Sequence, residues 1–262
     1  MSESTSMQLL LDELKRRQDV GMPVEFWLRD DDAVEPSAAL SRFNTLTETY
    51  SIPATLAVIP EQTGEALVES LHHMSHINIA VHGWSHKNHA PETEKKQELG
   101  SHRPSEQVLI ELAKGFSRLS TLYGGRFVPL LAPPWNRIAH DLVDSLSDIG
   151  FAGLSTFGHE KPAAIKMLNT HVDLIDWKGT RGGRASDPLV GEFIENIRST
   201  QKPIGFLTHH LVHDEAAWSF MENLFQATAQ HEGCRWVSSP EILNMDRLLF
   251  HEPLPDPRLP AQ

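Results

Sequence analysis

Four stretches of this 262-residue chain end apolar runs in groups that ionise or bind metals. They are Asp30, Asp31 and Asp32 in "FWLRDDDAVEP", His82 and His86 in "VHGWSH", Asp173 and Asp176 in "DLIDW", and His209, His210, His213 and Asp214 in "LTHHLVHD". Two imidazoles four residues apart can reach one ion if the segment makes a helical turn. One carboxylate from Asp30–Asp32 would complete a facial His-His-Asp set with positions left for water and substrate. By ligand type, Zn²⁺, Fe²⁺, Co²⁺ and Ni²⁺ all suit such a set. An ion there acidifies water and polarises a carbonyl, which is the chemistry of hydrolysis. HxxxH alone is a common spacing, and an aspartate run alone is usually a solvated face. Their joint occurrence at the ends of apolar runs makes them a candidate site. Alternation along an extended chain places Asp30 and Asp32 on one face and Asp31 on the other.

The elements that must position these groups are legible as short apolar runs: 24–28, 53–59, 76–81, 126–132, 151–156, 171–176, 203–209 and 234–239. Segments with apolar residues at three- and four-residue intervals lie between many of them, as in "SEQVLIELAKGFSRLSTLY" and "AAWSFMENLFQATAQH". Strands apolar throughout and alternating with helices indicate a parallel sheet covered by helices. Seven or eight such units favour a closed (β/α) barrel over an open doubly wound sheet. In a barrel the strand C-termini share one mouth, so residues distant in sequence become neighbours. A polar, His-rich stretch (83–104) and a Gly- and Arg-rich one (177–188) follow strands and belong at that mouth. The expected organisation is one domain over 1–262, with an N-terminal helix at about 7–20, a barrel at about 24–248 and a Pro-rich tail at 252–262. No GxGxxG follows the first strand and no GxxxxGK[ST] occurs, so the usual nucleotide signals are missing.

A net charge of −12 argues against a nucleic acid or an anionic membrane surface as partner. Cys234 is the only cysteine, so neither an intrachain disulfide nor a Cys-based zinc site can form. The first residues lack the pattern of a secretory signal, and no apolar run approaches the ~20 residues of a membrane span. The expected location is therefore cytoplasmic.

Taken in order, Asp-Asp, HxWSH, a Pro-Pro-aromatic turn "APPWN" (132–136), "DLIDW" (173–177) and "GFLTHH" (205–210) resemble the polysaccharide deacetylases. This is the NodB-homology group, carbohydrate esterase family 4. The resemblance runs from residue 24 to about 240, and it implies a distorted (β/α)7-type barrel. It implies metal-dependent removal of an N-acetyl group from an amino sugar; hydrolysis of another non-peptide C–N bond, in a small amide substrate, is the alternative on the same scaffold. Carried over, Asp32, His82 and His86 would hold a divalent metal, zinc foremost. Asp31 would be the general base, His209 the general acid, and Asp176 or Asp173 would orient that imidazole. Pro134, Trp135, Asn136, Trp177 and Arg181 would line the substrate site, and the backbone of the "APPWN" turn would help bind the oxyanion. A catalytically silent carbohydrate- or metal-binding protein is the alternative of a different class. The one departure that supports it is Ala132, which stands where the family has an arginine that steadies the base. Arg29, Arg137 or Arg181 would have to supply that charge. The resemblance also shifts the weight from Asp30 and Asp32 to the adjacent pair Asp31 and Asp32, leaving Asp30 to be held by a backbone or arginine contact.

Overall fold

The structure, a computed structural model, describes residues 3–244, so the predicted Pro-rich tail lies outside the described residues. Helix α1 (Glu3–Asp19) precedes strand β1 (Val24–Ala33). There follow α2 (Ala38–Thr49), β2 (Ala54–Val58), α3 (Glu65–Leu71), β3 (Ile77–Val81), α4 (Ser105–Tyr123) and β4 (Phe127–Leu131). Two single-turn helices, α5 (His140–Val143) and α6 (Leu146–Ile149), lead to β5 (Gly153–Leu154), β6 (Lys166–Met167) and β7 (Thr170–Asp173). The described chain closes with α7 (Ser186–Ser199), β8 (Ile204–Thr208), α8 (Glu215–Thr228), β9 (Cys234–Trp236) and α9 (Ser239–Ile242).

Every pairing between these strands is parallel, in the order β6-β5-β4-β3-β2-β1-β8-β7. The two ends of that order are neighbours in the chain, since only Leu168 and Asn169 separate β6 from β7. Phe157, just past β5, bridges to Thr170 in β7. The sheet thus curls into a distorted barrel of seven staves, with β6 and β7 as one interrupted stave. The eighth apolar run is not a further stave: β9 pairs with the first residues of β1, Val24 to Phe26.

Two apolar clusters follow from strand alternation. The larger lies between sheet and helices and includes Phe26 and Leu28 of β1 with Phe43, Phe193, Phe206 and Phe220. The smaller includes Trp27, Ala80, Val128, Leu130, Leu168 and Val237, the opposite faces of the same strands. Along β1 that second face continues from Trp27 to Arg29 and Asp31, both buried. Asp30 continues the helix-side face of Phe26 and Leu28.

β1 extends five residues beyond the apolar run that marks it in the sequence, so the aspartates lie within the strand. Its neighbours hold it there: Asp30 is in register with Leu56 of β2 and Thr208 of β8. The register with β2 then slips between Asp30 and Ala33, where Asp32 takes a φ of +73°. This bulge breaks the alternation and gives Asp32 a direction that an ideal strand would deny it.

Candidate active site

The barrel mouth brings Asp32, His82 and His86 together, with one ligand atom from each within 4.8 Å of the others. Asp32 Oδ1 lies 3.1 Å from His82 Nε2 and 3.2 Å from His86 Nε2. His82 follows β3 and is buried, and its Nδ1 donates to the carbonyl of Ala132 at 2.8 Å. That bond commits the proton of a neutral ring to Nδ1 and leaves the Nε2 lone pair facing the carboxylate. Burial works against the Asp32 charge. The His82 contact and the nearby imidazoles outweigh it and hold the carboxyl well below its ordinary range. Burial pulls His82 down, but the charges of Asp31 and Asp32 overcome it and raise the ring. His86 is lowered by burial and by His82, which favours the neutral, ligating form. Asp32 Oδ1, His82 Nε2 and His86 Nε2 converge as three potential ligand atoms, so the set fits a divalent cation.

His86 does not reach Asp32 through a regular helical turn. The 83–86 segment is a loop with φ of +62° at Gly83 and +57° at His86. Its amides are gathered by Glu98, fully buried, which accepts from Ser85 N at 2.7 Å, His86 N at 3.1 Å and Ser85 Oγ at 3.0 Å. A Cβ on Gly83 would sit 2.2 Å from Glu98 Oε2 and 2.7 Å from the Pro134 ring. Glycine is therefore required there both for its φ and for the close approach. Glu98 carried no sequence signal, being one acidic residue in a charged polar stretch.

Asp31 faces Arg29, two residues earlier on the same strand face. Arg29 Nη2 donates to Asp31 Oδ2 at 3.0 Å, and Nε lies 2.9 Å from Oδ1. The guanidinium also donates to Ser155 O at 2.9 Å, Ser155 Oγ at 2.6 Å and Asn136 Oδ1 at 2.6 Å. Of the three arginines considered for the missing family charge, Arg29 is the one beside Asp31. Arg137 instead donates to Lys96 O at 2.7 Å, and Arg181 lies over Trp177.

His209, at the end of β8, places Nε2 3.9 Å from Asp31 Oδ2. Trp177 packs edge-on against its ring, with centroids 4.7 Å apart. Asp176 is not brought to it. Its carboxylate accepts from Gly179 N at 3.0 Å and Thr180 N at 3.2 Å, which closes the 176–180 turn. Asp173 is the carboxylate that feels the charge of His209, although burial dominates and raises it. It accepts from Trp177 Nε1 at 2.9 Å and Ile175 N at 3.0 Å.

Asp30 is held by a histidine rather than an arginine. His210 Nδ1 lies 2.5 Å from Asp30 Oδ1, and His210 N and Thr208 Oγ1 donate to Oδ2 at 2.8 and 2.7 Å. Burial opposes both charges of this pair. Each partner's charge prevails on the other, lowering Asp30 and raising His210.

The expected substrate-lining residues divide. Pro134 is buried under Gly83, and Asn136 is spent on Arg29. Trp135, at φ +55°, packs on His86 with centroids 4.3 Å apart. In that turn the amides of Asn136 and Arg137 are used by Pro133 O and Pro134 O. Among the described residues the amide of Trp135 has no hydrogen-bond acceptor. Trp177 and Arg181 are exposed.

Neither a protein-family model nor a curated protein matches the sequence. Solved structures do match the fold. A Mycobacterium smegmatis protein assigned to the polysaccharide deacetylases aligns at TM-score 0.65 and 14% identity, over 91% of this chain and 96% of that one. A family 4 acetyl xylan esterase from Clostridium thermocellum, solved with cobalt, aligns at TM-score 0.54 and 14% identity, over 85% and 92%. A peptidoglycan deacetylase from Bacillus subtilis aligns at TM-score 0.53 and 16% identity, over 87% and 94%. The chain folds as the polysaccharide deacetylases of carbohydrate esterase family 4 do, along nearly its whole described length.

Proposed function

We propose that the protein is a metal-dependent hydrolase that removes an N-acetyl group from an amino-sugar-like amide. The observation that carries this reading is the coincidence, at one barrel mouth, of the Asp32–His82–His86 cluster with the buried Arg29–Asp31 pair and His209. A silent binding protein would not need the last three. The deacetylases and the cobalt-bound esterase of the same fold support hydrolysis of an acyl bond, with a first-row divalent ion held by the three clustered residues, zinc foremost.

When bound, the ion supplies Lewis-acid activation of water and of the acyl carbonyl. The chain's own groups do the proton work. Water attacks the acyl carbon, and Asp31 takes its proton while Arg29 fixes the carboxylate in place. The Trp135 amide donates to the oxygen of the carbonyl as charge collects there. The C–N bond breaks as His209 delivers its proton to the departing nitrogen, leaving acetate and a free amine. Asp173 and the Trp177 ring orient the imidazole.

Asp31→Asn is expected to abolish acetate release from N-acetyl sugars while metal content, measured by mass spectrometry, stays at the wild-type level. His82→Ala is expected to lose the metal. If Asp31→Asn lost the metal instead, the roles of Asp31 and Asp32 would be reversed. No metal and no acetate from wild-type protein would sink the reading, whereas acetate from O-acetyl sugars alone would move it to an esterase.

A further inference from the structure

The 177–184 loop contains more construction than a connector needs. Asp176 closes one end through Gly179 N and Thr180 N, and its carbonyl accepts from Arg181 N at 2.9 Å. Asp214 anchors the other end, accepting from Gly183 N at 3.0 Å. A Cβ on Gly182 would lie 2.0 Å from Asp214 Oδ2, and one on Gly183 would lie 2.5 Å from Ala217 N. The two glycines let the loop press against the start of α8. Between these anchors Arg181 is forced to φ +62°, a conformation a long side chain rarely takes without reason.

The loop's cations are used unequally. Arg184 is committed to Glu192 and to the carbonyl of Asp173. Arg181 and Lys178, both exposed, have no carboxylate partner among the described residues. The Arg181 guanidinium lies 5.5 Å from the centre of the Trp177 ring, which also packs against the His209 ring. His209, Trp177 and Arg181 therefore form a row leading outward from the acid. The mouth also holds the carboxylates of Asp31, Asp32 and Asp173, on a chain whose net charge is −12. A guanidinium without a carboxylate partner binds an anionic group more strongly than a neutral one.

We propose that the substrate is an anion, whose amine-bearing part carries a carboxylate or phosphate held by Arg181, with Lys178 in support, across Trp177 from His209. This rests on the hydrolase reading only in placing the amine at His209. The test uses metal-loaded protein and compares N-acetylglucosamine with its 6-phosphate, its 1-phosphate and N-acetylmuramic acid. At least one anionic probe is expected to exceed the neutral sugar about tenfold or more in kcat/KM, mainly through KM, with the advantage shrinking as salt rises. The two phosphates and the carboxylate separate the anion types. Arg181→Ala should cost the preferred anion at least about tenfold more than it costs the neutral sugar, and Arg181→Lys should recover part of that. Calorimetric binding of glucosamine and its 1- and 6-phosphates, and of muramic acid, the amines left by deacetylation, reads the preference without turnover. Tighter binding of an anionic amine that disappears in Arg181→Ala, with no acetate released from any probe, would sink the hydrolase reading and leave this one standing. Equal kcat/KM for neutral and anionic probes, equal binding of neutral and anionic amines, or equal losses in Arg181→Ala would overturn it.

Discussion

At the residue scale, the charge that steadies Asp31 comes from its own strand. The family arginine position holds Ala132, whose carbonyl instead orients His82. Arg29 fills the electrostatic role because it shares the inward face of β1 with Asp31, and its fork also reaches Ser155 and Asn136. Lysine cannot reproduce that fork. Arg29→Lys is expected to lower kcat at least ~100-fold with little change in KM, since small displacements of a catalytic group cost about that much. Arg29→Ala leaves Asp31 buried and unpaired, and a urea titration should show a loss of ~3–5 kcal/mol. Glu98 acts on the candidate ligand His86 from behind, through the amides of Ser85 and of His86 itself. Glu98→Gln is expected to weaken metal affinity ~10–100-fold in a chelator competition. The sequence leaves Arg29, Arg137 and Arg181 open for that charge, and only the fold puts Arg29 beside Asp31. Glu98 was invisible, because its partners are backbone amides that no residue type announces.

At the element scale, the bulge in β1 and the contact between β1 and β8 assemble the site. Asp30 and His210 flank Asp31 and His209 in sequence, so their buried ion pair ties the strand bearing the proposed base to the strand that leads into the proposed acid. Asp30→Ala should destabilise by ~3–5 kcal/mol, as removal of one member of a buried pair does. The double variant Asp30→Ala/His210→Ala should lose less than the sum of the two single losses, because each single variant strands its partner. His213, just beyond, accepts from His209 N at 3.3 Å, and burial pushes it down to about 4. Below its ordinary value the unfolded chain takes a proton that the native ring refuses. Its contribution is therefore whole above about pH 6.5 and is lost as pH falls toward 4. Relative to wild type, His213→Phe should flatten the fall in stability across that window by up to about 3 kcal/mol, read from urea midpoints at each pH.

At the scale of the whole molecule, the candidate metal ligands come from β1 and from the segment that follows β3, two strands with β2 between them, so binding an ion should cross-link the barrel mouth. An ion at a thousandfold excess over Kd stabilises by about 4 kcal/mol. Adding a chelator should therefore lower Tm measurably in wild type and leave the Tm of Asp32→Ala unchanged. Among the described residues no helix is long and apolar enough to cross a membrane. The single thiol, Cys234, is raised to about 12 by burial, as expected of a packed side chain.

Apolar runs alternating with helical periodicity were enough to determine a parallel α/β fold, and polar residues at the ends of those runs were enough to mark the mouth. Hydrophobic period is a local property, written into each segment. What closes the barrel is not local. β6 was missed because two residues of pairing leave no pattern, and β9 mimics a stave that it is not. Alternation alone would have put Asp32 with Asp30, away from Asp31. The register slip against β2 and the positive φ at Asp32 reverse this, and neither is visible without the neighbouring strand. Likewise "DLIDW" offered two carboxylates for one imidazole. Only the folded loop spends Asp176 on its own turn and leaves Asp173 to the Trp177 indole that packs on His209. Residue types and spacing determined which groups could do chemistry. The tertiary structure assigned them to faces, because the side a carboxylate takes depends on hydrogen bonds made by strands and loops far away in sequence.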